Sequence, residues 1–294
     1  MYHRHLSLSS FRLTLAFALL ISMVSFTTSA STPEFSYLSE SEVNYVQIDD
    51  QDYPVLLRSW QGKKKLGLAI IVPGLGLSPD EGGFTAYLRR KLNRAGWATL
   101  AITPPQKPSM PNYATQAVDV ANAGEKQLSQ RRTQAMPVFS EEQQTLNIQQ
   151  QQSFFISSMS QLDSLGKQFQ GKRMLISSDD SAGILIELLK DNKLPMPDML
   201  AIINPYHDQP SQNQALATQL AELTIPVLDI QSRDGTSASL ATQQNRFDLS
   251  PQNAPFRYHQ YKISLDLQHK EGWSSGLKII EGFALRINKA YPSR

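Results

Sequence analysis

The apolar positions of this chain change their period along its length, and those changes divide it into elements. Val43-Asn-Tyr-Val-Gln-Ile48 alternates apolar and polar residues, the pattern of a strand with one buried face, and Tyr53–Trp60 reads as a second strand. Gln61-Gly62, between Trp60 and the run Lys63–Lys65, is turn chemistry and supports a hairpin at that point. Leu66–Val72 is continuously apolar, as expected of a strand covered on both faces, and it ends in the sharp turn Pro73-Gly-Leu-Gly76.

From Phe84 to Ala95 the period lengthens to that of a helix, carried by Phe84, Tyr87, Leu88 and Leu92, and Gly96 stops it before a buried strand at Trp97–Ile102. Strand, turn, helix, glycine and strand in that order make a βαβ unit and predict a parallel sheet. Residues 103–150 break the rhythm: they open on a proline-rich stretch and close on Gln149–Gln152, which reads as a mobile surface insertion or a lid. Helices are then predicted over Phe154–Phe169, Ala182–Leu189, Gln214–Leu223 and Ser275–Asn288. Strands are predicted over Arg173–Ser177, Asp198–Ile203, Ile225–Ile230 and Phe256–Ile263. No internal repeat is visible, and residues 31–294 read as one domain.

The N-terminal 30 residues differ in kind from this pattern. His3, Arg4, His5 and Arg12 form a basic start, Leu13–Phe26 is apolar, and Thr28-Ser29-Ala30 supplies small residues before Ser31. That is the pattern of a secretory signal peptide over residues 1–30. The apolar run is shorter than the roughly 20 residues of a spanning helix, so cleavage is expected rather than a retained anchor, and the mature chain is expected in the periplasm. Cleavage would remove Arg4 and Arg12 and no acid, bringing the chain's 28 basic and 26 acidic side chains into balance. A balanced chain has no electrostatic footprint for nucleic acid or anionic lipid. The 264 residues left can build a sizeable core, which they must do without disulfides because the chain has no cysteine. No spacing of His, Asp and Glu suggests a metal site, and the glycines near Pro73 lack the phosphate-cradle pattern, so no cofactor is expected.

Taken together, these segments resemble the α/β-hydrolase superfamily over roughly residues 43–290. Pro73-Gly-Leu-Gly76 resembles its His-Gly-x-Gly turn with Pro73 in place of His, and the helix and strand that follow continue the likeness. Ile225–Asp234 is similar to the strand that delivers the triad acid, with Asp234 in the acid's place, and His269 precedes the final helix where the histidine is usual. More narrowly, the chain resembles a proteobacterial family of exported α/β-hydrolase-like proteins of unknown function. The resemblance implies a three-layer α/β fold, with a mostly parallel sheet, helices on both faces and an antiparallel hairpin at the N-terminal end. It also implies a small ester or lipid-like substrate. Such an enzyme needs a nucleophile on a tight strand-to-helix turn, a histidine to take its proton, an acid to orient the imidazole, and backbone N–H groups for the oxyanion.

The turn itself, Leu175-Ile-Ser-Ser-Asp-Asp-Ser-Ala-Gly-Ile184, departs from Gly-x-Ser-x-Gly and admits two registers. In one, Asp179-Asp-Ser-Ala-Gly183 makes Ser181 the nucleophile, resembling hormone-sensitive-lipase-like esterases, with the N–H groups of Leu75 and Ala182 as oxyanion donors. In the other, Ser177-Ser-Asp-Asp-Ser181 makes Asp179 the nucleophile, resembling haloalkane dehalogenases and epoxide hydrolases. Burial of Leu175 and Ile176 and the apolar face Ala182, Leu185, Ile186 and Leu189 favour the second. The tight Ser-Ala-Gly helix entry favours the first. Alternatively, Asp180 and Ser181 only cap a helix beginning near Ala182, and the protein is a non-catalytic binder of a ligand or envelope partner. Asp234 lies eight residues beyond Pro226, past the strand end, which favours it over Asp229 inside the strand. His207, after Asn204-Pro-Tyr206, has no role in the hydrolase scheme.

Overall fold

A computed structural model of the chain describes residues 35–80, 83–108, 139–250 and 257–292. Residues 40–294 form a compact unit separate from residues 1–39. The signal segment 1–30 lies outside the described residues, as do residues 109–138 of the segment 103–150.

Strands β1 (Val43–Ile48) and β2 (Gln51–Arg58) pair antiparallel with Ile48 opposite Gln51. Asp49 and Asp50 between them both take positive φ, 49° and 61°, which the favoured two-residue hairpin turn demands and which aspartate tolerates. The expected hairpin at Gln61-Gly62 is corrected: β2 pairs antiparallel with β4 (Trp97–Ile102), and the chain passes on to β3 (Gly67–Val72) on the far side of β4. With β5 (Lys172–Ser178), β6 (Met199–Ile203), β7 (Val227–Ser232) and β8 (Tyr258–Ile263), the sheet order is β1-β2-β4-β3-β5-β6-β7-β8. Every pairing from β4–β3 to β7–β8 is parallel.

Helices cover both faces of this sheet. On one side α1 (Phe84–Lys91) packs with α6 (Lys270–Ala290), where the Phe84 ring lies against Gly276. On the other, α2 (Glu141–Gly166), α3 (Asp179–Lys190), α4 (Pro210–Glu222) and α5 (Ser237–Leu249) pack in succession. The central strands β4, β6 and β7 are buried at every position, as their apolar runs predict. The result is the three-layer α/β-hydrolase fold with an N-terminal antiparallel hairpin.

Two helices differ from the sequence pattern for physical reasons. Helix α2 begins at Glu141, not Phe154, because Ser140 and Gln143 form a reciprocal capping box. Its glutamine-rich first turns are helical, yet they carry no apolar period to announce it. Helix α5 gave no signal at all. It turns Ser239, Thr242 and Arg246 inward while Leu240, Phe247 and Leu249 are exposed, so its buried face is polar.

The sheet order locates the functional end of the fold. From β3 the chain goes outward to β4, then returns across to β5 on the other side of β3. At such a switch point the loops leaving the carboxyl ends of two adjacent strands diverge and open a crevice. The turn Pro73–Gly76 leaves β3 there, and the start of α3 leaves β5 beside it.

Candidate active site

The strand-to-helix turn after β5 has Asp179 at its apex. Asp179 takes φ 57°, Ser178 ahead of it is still extended, and α3 starts at once, so the strained residue of the elbow is the aspartate. The alternative register is corrected. Ser181 lies in the first turn of α3, fully buried, and its Oγ meets no hydrogen-bond partner and no open space. A hydroxyl sealed in that way has no path to a substrate. The capping alternative is corrected too, because Ser178 is the residue preceding the helix, and Asp180 and Ser181 are within its first turn. Glycine at 183 is required by packing, since a Cβ there would lie 2.3 Å from the Tyr206 carbonyl oxygen.

With Asp179 at the apex, the second backbone donor for an oxyanion becomes the N–H of Asp180. That corrects Ala182, whose N–H lies deeper in the helix. The Leu75 N–H does face the elbow, but it donates to Asp180 Oδ1 at 2.8 Å. The same oxygen accepts the Ser181 N–H at 3.0 Å. Oδ2 of Asp180 lies 2.8 Å from Lys107 Nζ and accepts the Tyr206 hydroxyl at 3.4 Å. A carboxylate of the chain itself therefore holds the donor that a substrate oxyanion would use. Charge-assisted bonds of this kind are each worth about 1.5–3 kcal/mol net, so a neutral ester carbonyl is a weak competitor for them.

Electrostatics sharpen the contrast between the two neighbouring acids. Burial, then the charge of Asp180, pushes the Asp179 carboxyl up to about 7. Burial lowers the Lys107 ammonium, but its bond to Asp180 and the charges of Asp180 and Asp208 outweigh that and hold it above its ordinary value. Lys107 also lies 3.3 Å from Asp208 Oδ2, so this cation is already committed to two carboxylates.

Asp234 and His269 do not meet. Burial would raise the Asp234 carboxyl, but bonds from Ser232, Leu267 and Gln268 prevail and keep it below its ordinary value. Its Oδ1 accepts the Ser232 hydroxyl and the Leu267 N–H, and its Oδ2 accepts the Gln268 N–H at 2.8 Å. Asp234 thus pins the backbone of the loop before α6 instead of orienting an imidazole. That pinning places Gln268 on the wall of the elbow cavity and leaves His269 at the N-terminal boundary of α6. There its ring is 70% exposed and 3.7 Å from Asp266. The expected position of His269 as proton acceptor is corrected for this reason.

The elbow opens into a cavity of about 280 Å³ lined by Ser178, Asp179, Asn204, Asp234 and Gln268, with Leu77 and Phe84 among its apolar walls. Asn204, itself at φ 49°, accepts the Ser232 N–H at 2.8 Å and donates to Ser232 Oγ at 2.7 Å, which aligns the end of β7 with the elbow. Among the described residues no three potential metal ligands converge. Sequence reasoning missed Asp180 as the occupant of the donor site, and missed Lys107 and Gln268 entirely. Asp180 was legible in principle, because the second register makes it the residue after the apex. Lys107 and Gln268 sit in irregular segments where no periodicity points to them.

An eight-stranded sheet in this order, with a strained turn leading from β5 into α3, defines an α/β-hydrolase-fold protein. The chain belongs to the family described as protein of unknown function DUF3530, whose model matches residues 27–286. No curated protein matches the chain by sequence. Among solved structures it is similar to Est1E from Butyrivibrio proteoclasticus, at 11% identity and a TM-score of 0.55, over 84% of this chain and 99% of that one. It is also similar to a dienelactone hydrolase from Anabaena variabilis, at 12% identity and a TM-score of 0.54, over 83% and 96%. The esterase domain of a Rhodothermus marinus protein aligns at 9% identity and a TM-score of 0.54, over 83% and 97%. At these identities the likeness is one of fold.

Proposed function

We propose that this protein is exported to the periplasm by the signal at residues 1–30 and there uses its hydrolase fold to bind a ligand, without esterase turnover. The observation that carries this reading is the Asp180 carboxylate on the Leu75 N–H. A tetrahedral intermediate forming at Asp179 would have to displace a paired anion from its stabilising donor, and losing one such donor costs about 10²–10³ in rate. The exposure of the His269 ring supports the same reading, since a nucleophile without a base has nothing to take its proton or activate water. Among the described residues no helix is long and apolar enough to cross a membrane.

A second reading rests on one observation, the position of Asp179 at the apex: an aspartate-nucleophile hydrolase acting on a small ester or lipid-like substrate. In it the Asp179 carboxylate attacks the acyl carbon, the C–O bond to the alcohol breaks and the alcohol leaves, and water then hydrolyses the acyl anhydride to restore the carboxylate. One experiment addresses both. Folded protein is incubated with a fluorophosphonate probe and with p-nitrophenyl acetate, beside Asp179→Asn. The expected result is no labelling and no turnover above that of the variant. Labelling of the wild type would overturn the binding reading in favour of a serine nucleophile, and turnover lost in Asp179→Asn would establish the second reading.

A further inference from the structure

The two ends of the sheet differ in charge. The elbow lies at the carboxyl ends of β3 and β5, where Asp179, Asp180 and Asp234 gather. At the opposite end, about 20 Å away along the strands, three chain segments lead into β3, β4 and β5. Main-chain bonds join these segments side by side. The Gln61 N–H donates to the Asn93 carbonyl at 2.8 Å, the Leu66 N–H to the Gly96 carbonyl at 2.8 Å, and the Lys172 N–H to the Leu66 carbonyl at 3.0 Å. Gly96, at φ 99°, lets Lys64 lie against the turn, since a Cβ there would stand 2.8 Å from the Lys64 Cβ.

Residues 59–68, 89–98 and 164–174 contain no aspartate or glutamate. On them Lys63, Lys64, Lys65, Arg94 and Lys167 are exposed, and no described acid forms an ion pair with any of these five. Lys65 Nζ lies 5.6 Å from the centre of the Trp60 ring, which packs edge-on against Phe169. Of the acids that border these segments, Asp198 is held by Lys172 at 3.6 Å, and Asp191 by Lys190 and Lys193 at 3.3 Å each. Asp163, near the end of α2, carries no ion pair with a described residue. The balance of charge over the whole chain therefore conceals a local excess of cations, gathered because β3 lies between β4 and β5.

Two features select the kind of anionic partner. Four of the five cations are lysines, compact point charges that suit separate, mobile headgroups, whereas the fixed phosphates of a nucleic acid favour the arginine fork. An apolar rim adjoins them at the same end of the sheet. The loop 194–197 leads into β6 and exposes Pro195 and Met196, the latter at 40%. It borders an apolar notch of about 80 Å³ together with Ile70, Leu162 and Arg173. Lysines beside an exposed thioether make a surface that is polar above and apolar at its edge, as the headgroup boundary of a bilayer requires.

We propose that this end of the protein docks on an anionic phospholipid surface, with Lys63, Lys64, Lys65, Arg94 and Lys167 among the headgroups and Met196 at the acyl boundary. The protein then lies on the membrane without spanning it, and the elbow cavity faces the water. The docking is independent of what the elbow binds, so turnover at Asp179 would leave it standing.

The test is co-flotation of the full chain with phosphatidylcholine vesicles, with and without about 30% phosphatidylglycerol, in about 0.1 M salt. The chain is expected to float with the anionic vesicles, at least tenfold more than with the neutral ones, and to be released as salt rises to about 0.5 M. Each lysine at such a surface is worth about fivefold in partitioning, so Lys63→Gln/Lys64→Gln/Lys65→Gln should weaken binding about a hundredfold. These side chains are exposed, so the melting curve of that variant should match wild type. Met196→Glu should weaken binding severalfold. Lys262→Gln/Lys270→Gln/Lys278→Gln removes the same charge from exposed positions of β8 and α6 and should leave binding within about twofold of wild type. The proposal is overturned if neutral vesicles bind as well as anionic ones, or if the two triple variants behave alike. It is overturned in favour of a polyanion if heparin or duplex DNA binds the chain while anionic vesicles do not.

Discussion

Asp229 and Asp179 are two buried acids at the sheet, one inside β7 and one just past the end of β5, and the fold treats them in opposite ways. Asp229 is fully matched. Its Oδ2 accepts Arg246 Nε at 2.8 Å, the Tyr258 hydroxyl at 2.7 Å and Gln260 Nε2 at 3.1 Å. Arg246 in turn also donates to Asp229 Oδ1 at 3.4 Å, and to Gln231, Thr242 and the Ser239 carbonyl. Burial and the neighbouring Asp229 charge hold the Tyr258 hydroxyl well above its ordinary value, so it stays a donor. At the elbow, by contrast, Asp179 has Asp180 and Asp234 as charged neighbours, and the lysine that lowers it, Lys107, is held directly by Asp180 and Asp208. A structural acid is given its cation within the fold; an acid whose cation is missing marks a place where the fold accepts instability in exchange for a site.

The largest effect should come from unbalancing the matched cluster. Arg246→Met leaves Asp229 buried and uncompensated, and is expected to cost about 3–5 kcal/mol in urea unfolding. Adding Asp229→Asn should recover a substantial part of it. If the single variant loses less than the double, the pair is not the counter-charge described here.

The opposite sign is expected at the elbow. The folded Asp179 carboxyl titrates near 7, above its unfolded value of 3.8. Below about pH 3 both states are protonated and the group contributes nothing. As pH rises toward 7 the unfolded chain ionises while the folded one does not, so stability falls, and above 7 the whole cost is present. Asp179→Asn should therefore stabilise the protein at pH 8, by on the order of 3 kcal/mol, and leave it nearly unchanged at pH 3. Asparagine accepts the left-handed backbone at this position, so the substitution adds no strain. Thermal melts of both proteins across that range check it, and parallel profiles would erase the contrast between the two acids.

The smallest effect concerns the shared cation. Lys107 lowers the Asp179 carboxyl, though less than burial and the neighbouring acids raise it. Lys107→Met should move the Asp179 midpoint above 7, by less than about one pH unit because the lysine is partly exposed. Carbon-detected NMR titration of labelled aspartate reads the change directly.

The same two regions show how far sequence can be read. The strands β3 to β7 were legible because strands covered on both faces must be apolar throughout, and the order of strands and helices then allows few folds. Helix α5 was illegible because its inward residues are polar and exist to serve Asp229, which lies in another element. At the elbow, the apolar flanks Leu175, Ile176, Ala182 and Leu185 pointed to Asp179 and the Ser-Ala-Gly helix entry to Ser181, so the sequence left both open; the positive backbone angle at Asp179 agrees with the apolar flanks.

The sequence alone thus determined the layered architecture, the place of the turn after β5 and the absence of disulfide chemistry, since each depends on local periodicity or composition. Only the tertiary structure decided what the turn holds. Whether Leu75 offers its N–H to a substrate or to Asp180 depends on residues 105 positions apart. Whether His269 or Gln268 faces the cavity depends on Asp234 pinning a loop 33 and 34 positions away. Contacts of that range form no pattern along the chain, because they are fixed by how the sheet folds back on itself and not by the spacing of neighbours.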